Sequence, residues 1–123
     1  MRRLVPVCLC AVLTACLFRS LEPPSEPATI TGVITRVWTY EGSGSRVLIE
    51  EEPGEDWTGD KVIFAVRDAS VLLRQPDLSW RRGSVQDLQL GALAQAWDDG
   101  DIVDSYPGKA EARVVAVLRP AGP

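Results

Sequence analysis

Ile30-Thr31-Gly32-Val33-Ile34-Thr35-Arg36-Val37-Trp38-Thr39-Tyr40 decides the fold. β-Branched and aromatic residues dominate this stretch, and they suit a pleated, half-buried surface. Apolar side chains occupy both alternating faces, with Ile30, Ile34 and Trp38 on one and Val33 and Val37 on the other. Gly32, near the start, lets a long strand bend. A long bent strand can serve both sides of a small barrel.

The β pattern continues downstream. Val47 and Ile49 alternate with polar neighbours, and so do Val62, Phe64 and Val66. Val71-Leu72-Leu73 forms a short apolar strand, broken by Gln75-Pro76-Asp77, and residues 78–81 can return as a hairpin arm. Residues 84–90 are the one helical candidate. Ser84 with Asp87 resembles a capping box, and Gly91 suits a left-handed stop. Ala92, Ala94 and Ala96 share one face of the next strand, which ends at Trp97. Asp98-Asp99-Gly100 is expected as a hairpin turn, and Tyr106-Pro107-Gly108 as a further one. The last strand places Ala112, Val114, Ala116 and Leu118 on one face. The expected fold is all-β: a small five-stranded OB-like barrel with one short helix between the third and fourth main strands. Closure of this kind removes exposed strand edges.

The other end of the chain carries an address. Met1-Arg2-Arg3 precedes an apolar run that reaches Leu13-Thr14-Ala15-Cys16. A positive start, a short apolar middle and small residues before a cut define a secretory signal. Leu-Thr-Ala-Cys resembles the bacterial lipobox, in which the Cys thiol takes a diacylglycerol. A transmembrane span wants about 18 or more unbroken apolar residues. Here Pro6 lies within the run, and Arg19 and Glu22 follow soon after it. The expected organisation is a signal peptide over residues 1–15, lipidated Cys16 with a Pro-rich tether over 16–27, one barrel domain over 28–120 and a frayed tail over 121–123. Fully stretched, such a tether would hold the domain roughly 35 Å from the lipid.

Composition narrows the chemistry. Cys8, Cys10 and Cys16 are the only cysteines, so the exported domain folds without a disulfide. The chain has no His, which removes Ser-His-Asp triads, Cys-His pairs and imidazole metal ligands. Loss of Arg2 and Arg3 with the signal takes the formal charge from −4 to −6. An acidic domain is a poor binder of phosphate backbones, so nucleic acid is not expected as a partner.

Three groups of residues are candidates for function. Asp104, Ser105 and Tyr106 can line a barrel mouth, with Tyr106 supplying a flat ring and a polar handle. Alternatively, Ser105-Tyr106-Pro107 is a structural corner stapled by the Tyr hydroxyl. Trp80, Arg81 and Arg82, beside Arg74, can grip a carboxylate, a phosphate or an acidic partner segment, or can guard a strand edge with charge. The acidic clusters Glu50-Glu51-Glu52 with Glu55-Asp56, and Asp98-Asp99 with Asp101 and Asp104, lack the spacing of a dedicated Ca²⁺ loop. No metal and no cofactor is expected. Trp38, Trp57, Trp80 and Trp97 are many for so small a domain, and sequence does not divide them between core and groove.

The second half resembles a known family. Asp87-Leu88-Gln89-Leu90-Gly91 is followed by a strand ending at Trp97, then by Gly100, Val103-Asp104-Ser105-Tyr106-Pro107, Ala110 and Ala112. This is similar to the pattern of the YobA-like bacterial lipoproteins, a domain family of unknown function. Lys109 stands where that pattern has Gln, and Asp104 where it has Glu. The resemblance implies an exported, lipid-anchored protein with an OB-like barrel. It carries no activity. Leu17 directly after Cys16, where Asp is the usual retention signal, resembles an outer-membrane address. The expected location is therefore the outer membrane where the envelope has two membranes and otherwise the outer face of the plasma membrane. The expected function is a non-catalytic, monomeric envelope module that binds a protein, peptide or glycan. The alternative is a small envelope hydrolase using paired carboxylates.

Overall fold

A computed structural model describes residues 21–40, 44–51 and 60–122. In chain order the strands are β1 (Ile30–Tyr40), β2 (Gly44–Glu51), β3 (Lys61–Ala65), β4 (Ser70–Arg74), β5 (Trp80–Arg82), β6 (Leu93–Val103) and β7 (Gly108–Arg119). They pair in the order β3-β2-β1-β6-β7-β4-β5, and a parallel pairing of β3 with β7 closes β1, β2, β3, β7 and β6 into a five-stranded barrel. The all-β, OB-like barrel expected from the sequence is the fold. One edge of β7 is shared. β3 pairs with its first half, from Val62↔Gly108 to Ala65↔Glu111, and β4 with its second, from Ser70↔Val114 to Leu73↔Val117.

Ile34, Val47, Ile49, Phe64, Val66 and Val115 fill the barrel and are fully buried. Each contributes roughly 1.5–3 kcal/mol on burial, the main stabilisation open to a domain without disulfides. Gly32 is where β1 pairs with both β2 and β6, at Glu51 and Ala94. A Cβ there would lie 2.1 Å from the Glu50 carbonyl oxygen, so only glycine permits the crossing.

The helix expected over residues 84–90 is a single 3-10 turn, Val85–Asp87. Asp87 does cap it, accepting a 2.8 Å hydrogen bond from the Ser84 backbone N–H. Leu88 then leaves helical geometry at ψ +86° and buries its side chain. Gly91, at φ +91°, donates its N–H to the Ile34 carbonyl at 2.8 Å. Two anchors this close leave no length for a second turn, and one turn alone gains nothing from cooperativity.

Bulges account for the other differences. β1 shifts register between Ile34 and Arg36. The extra residue, Thr35, exchanges the faces, so Val37 packs on the core while Trp38 turns outward, away from the Ile30–Ile34 face. β7 shifts at Arg113, since Trp97 faces Val114 and Asp98 faces Ala112. Ala112, Val115 and Val117 therefore point into the barrel, while Val114 and Ala116 point out of it. In β6 the pairing jumps from Asp98↔Ala112 to Ile102↔Ala110. Asp98-Asp99-Gly100 is thus a bulge inside β6 rather than a hairpin turn, and the chain reverses later, at residues 104–107.

Outside the barrel wall lies a second small core of Leu72, Trp97 and Ala116, covered by Leu21, Ala28 and Trp80. Residues 21–27, read from sequence as part of a free tether, lie against the barrel here. Trp97 Nε1 donates to the Glu26 carbonyl at 2.9 Å, and Arg113 pairs with the Glu26 carboxylate. Among the described residues no helix is long and apolar enough to cross a membrane.

Candidate functional site

The outer face of the barrel follows from strand register, because paired residues share a face. One row runs Trp38, Arg46, Ala65, Glu111, and the next runs Arg36, Leu48, Ile63, Lys109, Val103. Between these rows and the β6–β7 hairpin lies an open cavity of about 440 Å³, walled by Trp38, Ile63 and Val103. The Thr35 bulge puts Trp38 in this wall. Arg36 covers its ring, with the guanidinium 5.6 Å from the ring centroid.

The rim is charged with both signs: Arg46 and Lys109 beside Asp101 and Glu111. Val103, Ile102 and Tyr106 are exposed along the hairpin, Tyr106 by 69%. Lys61 lies over the Tyr106 ring at 5.0 Å and within 4.0 Å of Glu50. The arrangement offers an aromatic wall, an apolar lip and polar groups of both signs. Such a surface suits a partner with apolar faces and mixed polar groups rather than a polyanion.

The hairpin is held in place by Asp98. Its carboxylate accepts from the Thr29 hydroxyl at 2.7 Å and from the Gly100 N–H at 2.8 Å. These two bonds, the Thr29 bond first, hold its pKa below the usual carboxylate value. Asp98 therefore stays ionised and acts as a hinge pin rather than a proton donor. Among the described residues no three carboxylates converge on one point.

The candidate residues divide between two ends of the molecule. Asp104, Ser105 and Tyr106 form the β6–β7 turn, beside the cavity. The corner is fixed by Ser105, whose hydroxyl donates to the Pro107 carbonyl at 2.8 Å and whose N–H donates to the Val103 carbonyl at 2.9 Å. The Tyr106 ring stands out from that corner instead of packing beneath it. Trp80, Arg81 and Arg82 lie on β5. Leu73↔Val117 places the 75–79 turn beyond the C-terminal end of β7, whereas Val103↔Lys109 places the Tyr106 turn at its start. Twelve residues of β7 separate the two, roughly 35 Å of strand. Trp80 is half-buried over Leu72, while Arg81 and Arg82 are exposed. Cys16, Trp57, Glu52, Glu55 and Asp56 lie outside the described residues.

Sequence reading did not find Trp38, Ile63 and Val103 as a group. Alternation put Trp38 on the face of Ile30 and Ile34, and only the bulge moves it away from them. The signal that was available is the pair Thr35-Arg36, two consecutive polar residues that break the alternation of β1 between Ile34 and Val37. The chain matches no protein-family model, no curated protein and no solved structure.

Proposed function

We propose that this chain is a lipid-anchored module of the bacterial cell envelope, of the YobA-like kind its second half resembles. It binds a peptide, glycan or protein partner in the groove between Trp38 and the β6–β7 hairpin. The observation that carries the binding reading is the outward Trp38 ring facing the exposed aliphatic lip at Val103, with charged groups of both signs at the rim. OB-type barrels bind oligomeric ligands on this face and through the loops beside it. The anchoring reading rests on Leu13-Thr14-Ala15-Cys16.

A photo-reactive side chain at Val103, activated in intact cells, tests the groove. It should capture a discrete species, and Trp38→Ala should reduce capture by roughly 30-fold, a loss typical of an aromatic hot spot. Capture unchanged by Trp38→Ala would remove the groove from the reading. Cys16→Ala should abolish lipid labelling and leave an unprocessed or misplaced protein; normal attachment would remove the anchor. Asp101 and Glu111 line the same cavity and are the carboxylates the hydrolase alternative would use. Turnover of cell-wall glycans lost in both Asp101→Asn and Glu111→Gln would favour that alternative.

A further inference from the structure

We propose that the β4–β5 turn, with Leu78 at its tip and Arg74, Arg81 and Arg82 around it, rests on an anionic phospholipid surface. The inference deepens the anchoring part of the proposed function and rests on Cys16 as the lipid-bearing residue. Three observations lead to it.

The first is where the chain emerges. The segment before β1 lies on the barrel as far back as Leu21, which packs on the Leu72–Trp97–Ala116 core. Leu21 lines the same open cavity, about 770 Å³, as Leu78, Ser79 and Trp80. Four residues lie between Cys16 and Leu21, so the five Cα–Cα steps from one to the other span at most roughly 18 Å. That is about half the reach of a tether free to residue 27. The β4–β5 end is brought to the headgroups, and the groove at the far end of β7 is left in water.

The second is the turn itself. Leu78 is 63% exposed and adopts φ +71°, a left-handed conformation that costs a leucine energy. The turn is well fixed. Gln75 N–H donates to the Ser79 carbonyl at 2.8 Å, and Leu78 N–H donates to the Gln75 carbonyl at 2.8 Å. An apolar side chain is thus held outward on a rigid tip rather than left on a loose loop.

The third is charge polarity. Arg74, Arg81 and Arg82 are exposed and make no ion pair among the described residues. Their end also carries Glu22, Asp77 and Asp87, but Asp77 is turned back onto the Ser79 N–H and hydroxyl, and Asp87 onto Ser84. Asp98, Asp99, Asp101, Asp104 and Glu111 lie toward the opposite end, around the β6–β7 hairpin, where Arg46, Lys61 and Lys109 offset part of their charge. A domain of net negative charge is repelled by anionic lipid on average, yet this distribution turns its basic end toward the surface. Lipid is favoured over an acidic protein because the short leash fixes what lies opposite Leu78.

The chain from Leu17, which keeps every described residue and carries no lipid, tests the surface apart from the anchor. It should sediment with vesicles of one part phosphatidylglycerol to two parts phosphatidylcholine, and not with phosphatidylcholine alone. Arg74→Gln, Arg81→Gln and Arg82→Gln should each weaken this by about fivefold, and added salt should weaken it further. In the lipidated full chain on the same anionic vesicles, a nitroxide on Leu78→Cys should be shielded from an aqueous relaxant. One on Ile102→Cys should remain accessible. Equal accessibility at both positions, or sedimentation of the Leu17 chain unchanged by the arginine substitutions, would overturn the proposal. Should Cys16 carry no lipid, lipid labelling of the full chain fails while the Leu17 chain still reports on the turn, so the two failures are distinct.

Discussion

Removing residues 1–27, so that the chain begins at Ala28, should leave the barrel folded but lower its Tm by roughly 10 °C relative to a chain beginning at Leu21. Trp97 is 4% exposed, with its Nε1–H donated to Glu26. Without Leu21 and the 22–27 segment, about 100 Å² of its ring and of Leu72 meets water, costing about 2.5 kcal/mol. The lost Trp97–Glu26 hydrogen bond adds about 1 kcal/mol, and the exposed Arg113–Glu26 pair at most a few tenths. Against this stands the entropy of ordering the segment. Pro23, Pro24 and Pro27 have fixed φ, and Glu22 and Glu26 are restricted as residues before proline. Leu21 and Ser25 alone lose full backbone freedom, about 1 kcal/mol each. The balance is about 2 kcal/mol, which at about 4–8 °C per kcal/mol for a domain of this size gives the expected shift. Thermal unfolding followed by circular dichroism measures it, and a red shift of tryptophan emission reports the exposed Trp97 ring. Equal melting temperatures with unchanged emission would refute the packing argument and return residues 21–27 to a free tether.

Gly32→Ala should destabilise the domain by about 3 kcal/mol or more, because its Cβ would meet the Glu50 backbone oxygen rather than a side chain that can move; a urea midpoint near wild type would refute the close crossing. Asp98 has a lowered folded pKa, so its stabilisation is complete above the unfolded value near 3.9 and is lost as pH falls through the folded one. Thr29→Val should therefore cost about 1.5 kcal/mol at neutral pH and flatten the acid limb of the stability curve. An equal deficit at pH about 3 would contradict the assignment. Tyr106→Ala should leave the Tm within a few degrees, since the ring is exposed and Ser105 fixes the corner; a loss of about 3 kcal/mol, the scale of a core truncation, would show a staple instead.

Much of the barrel was legible because alternation is a local signal. Val47 and Ile49, then Val62, Phe64 and Val66, face the core as their spacing indicates. The Ser70–Arg74 strand lies where its apolar run begins and ends. What was not legible comes from single inserted residues. Thr35 and Arg113 each reverse the side-chain faces of a strand, and neither residue type marks a bulge by itself. The helix over residues 84–90 failed for a related reason: its caps are local, but the buried Leu88 and the Gly91–Ile34 bond that end it are tertiary.

The same bulges explain why so small a barrel has two distinct surfaces. The Thr35 shift turns Trp38 out of the core and so supplies the aromatic wall of the groove. The Arg113 shift turns Val114 and Ala116 outward, where together with Trp97 they form the floor on which residues 21–28 lie. It also places the Arg113 guanidinium at the Glu26 carboxylate. A barrel with strict alternation through β7 would keep Val114 and Ala116 on the same face as Ala112, inside the barrel, and Trp97 would lose them as neighbours. The surface on which residues 21–28 dock is therefore set by one extra residue in β7.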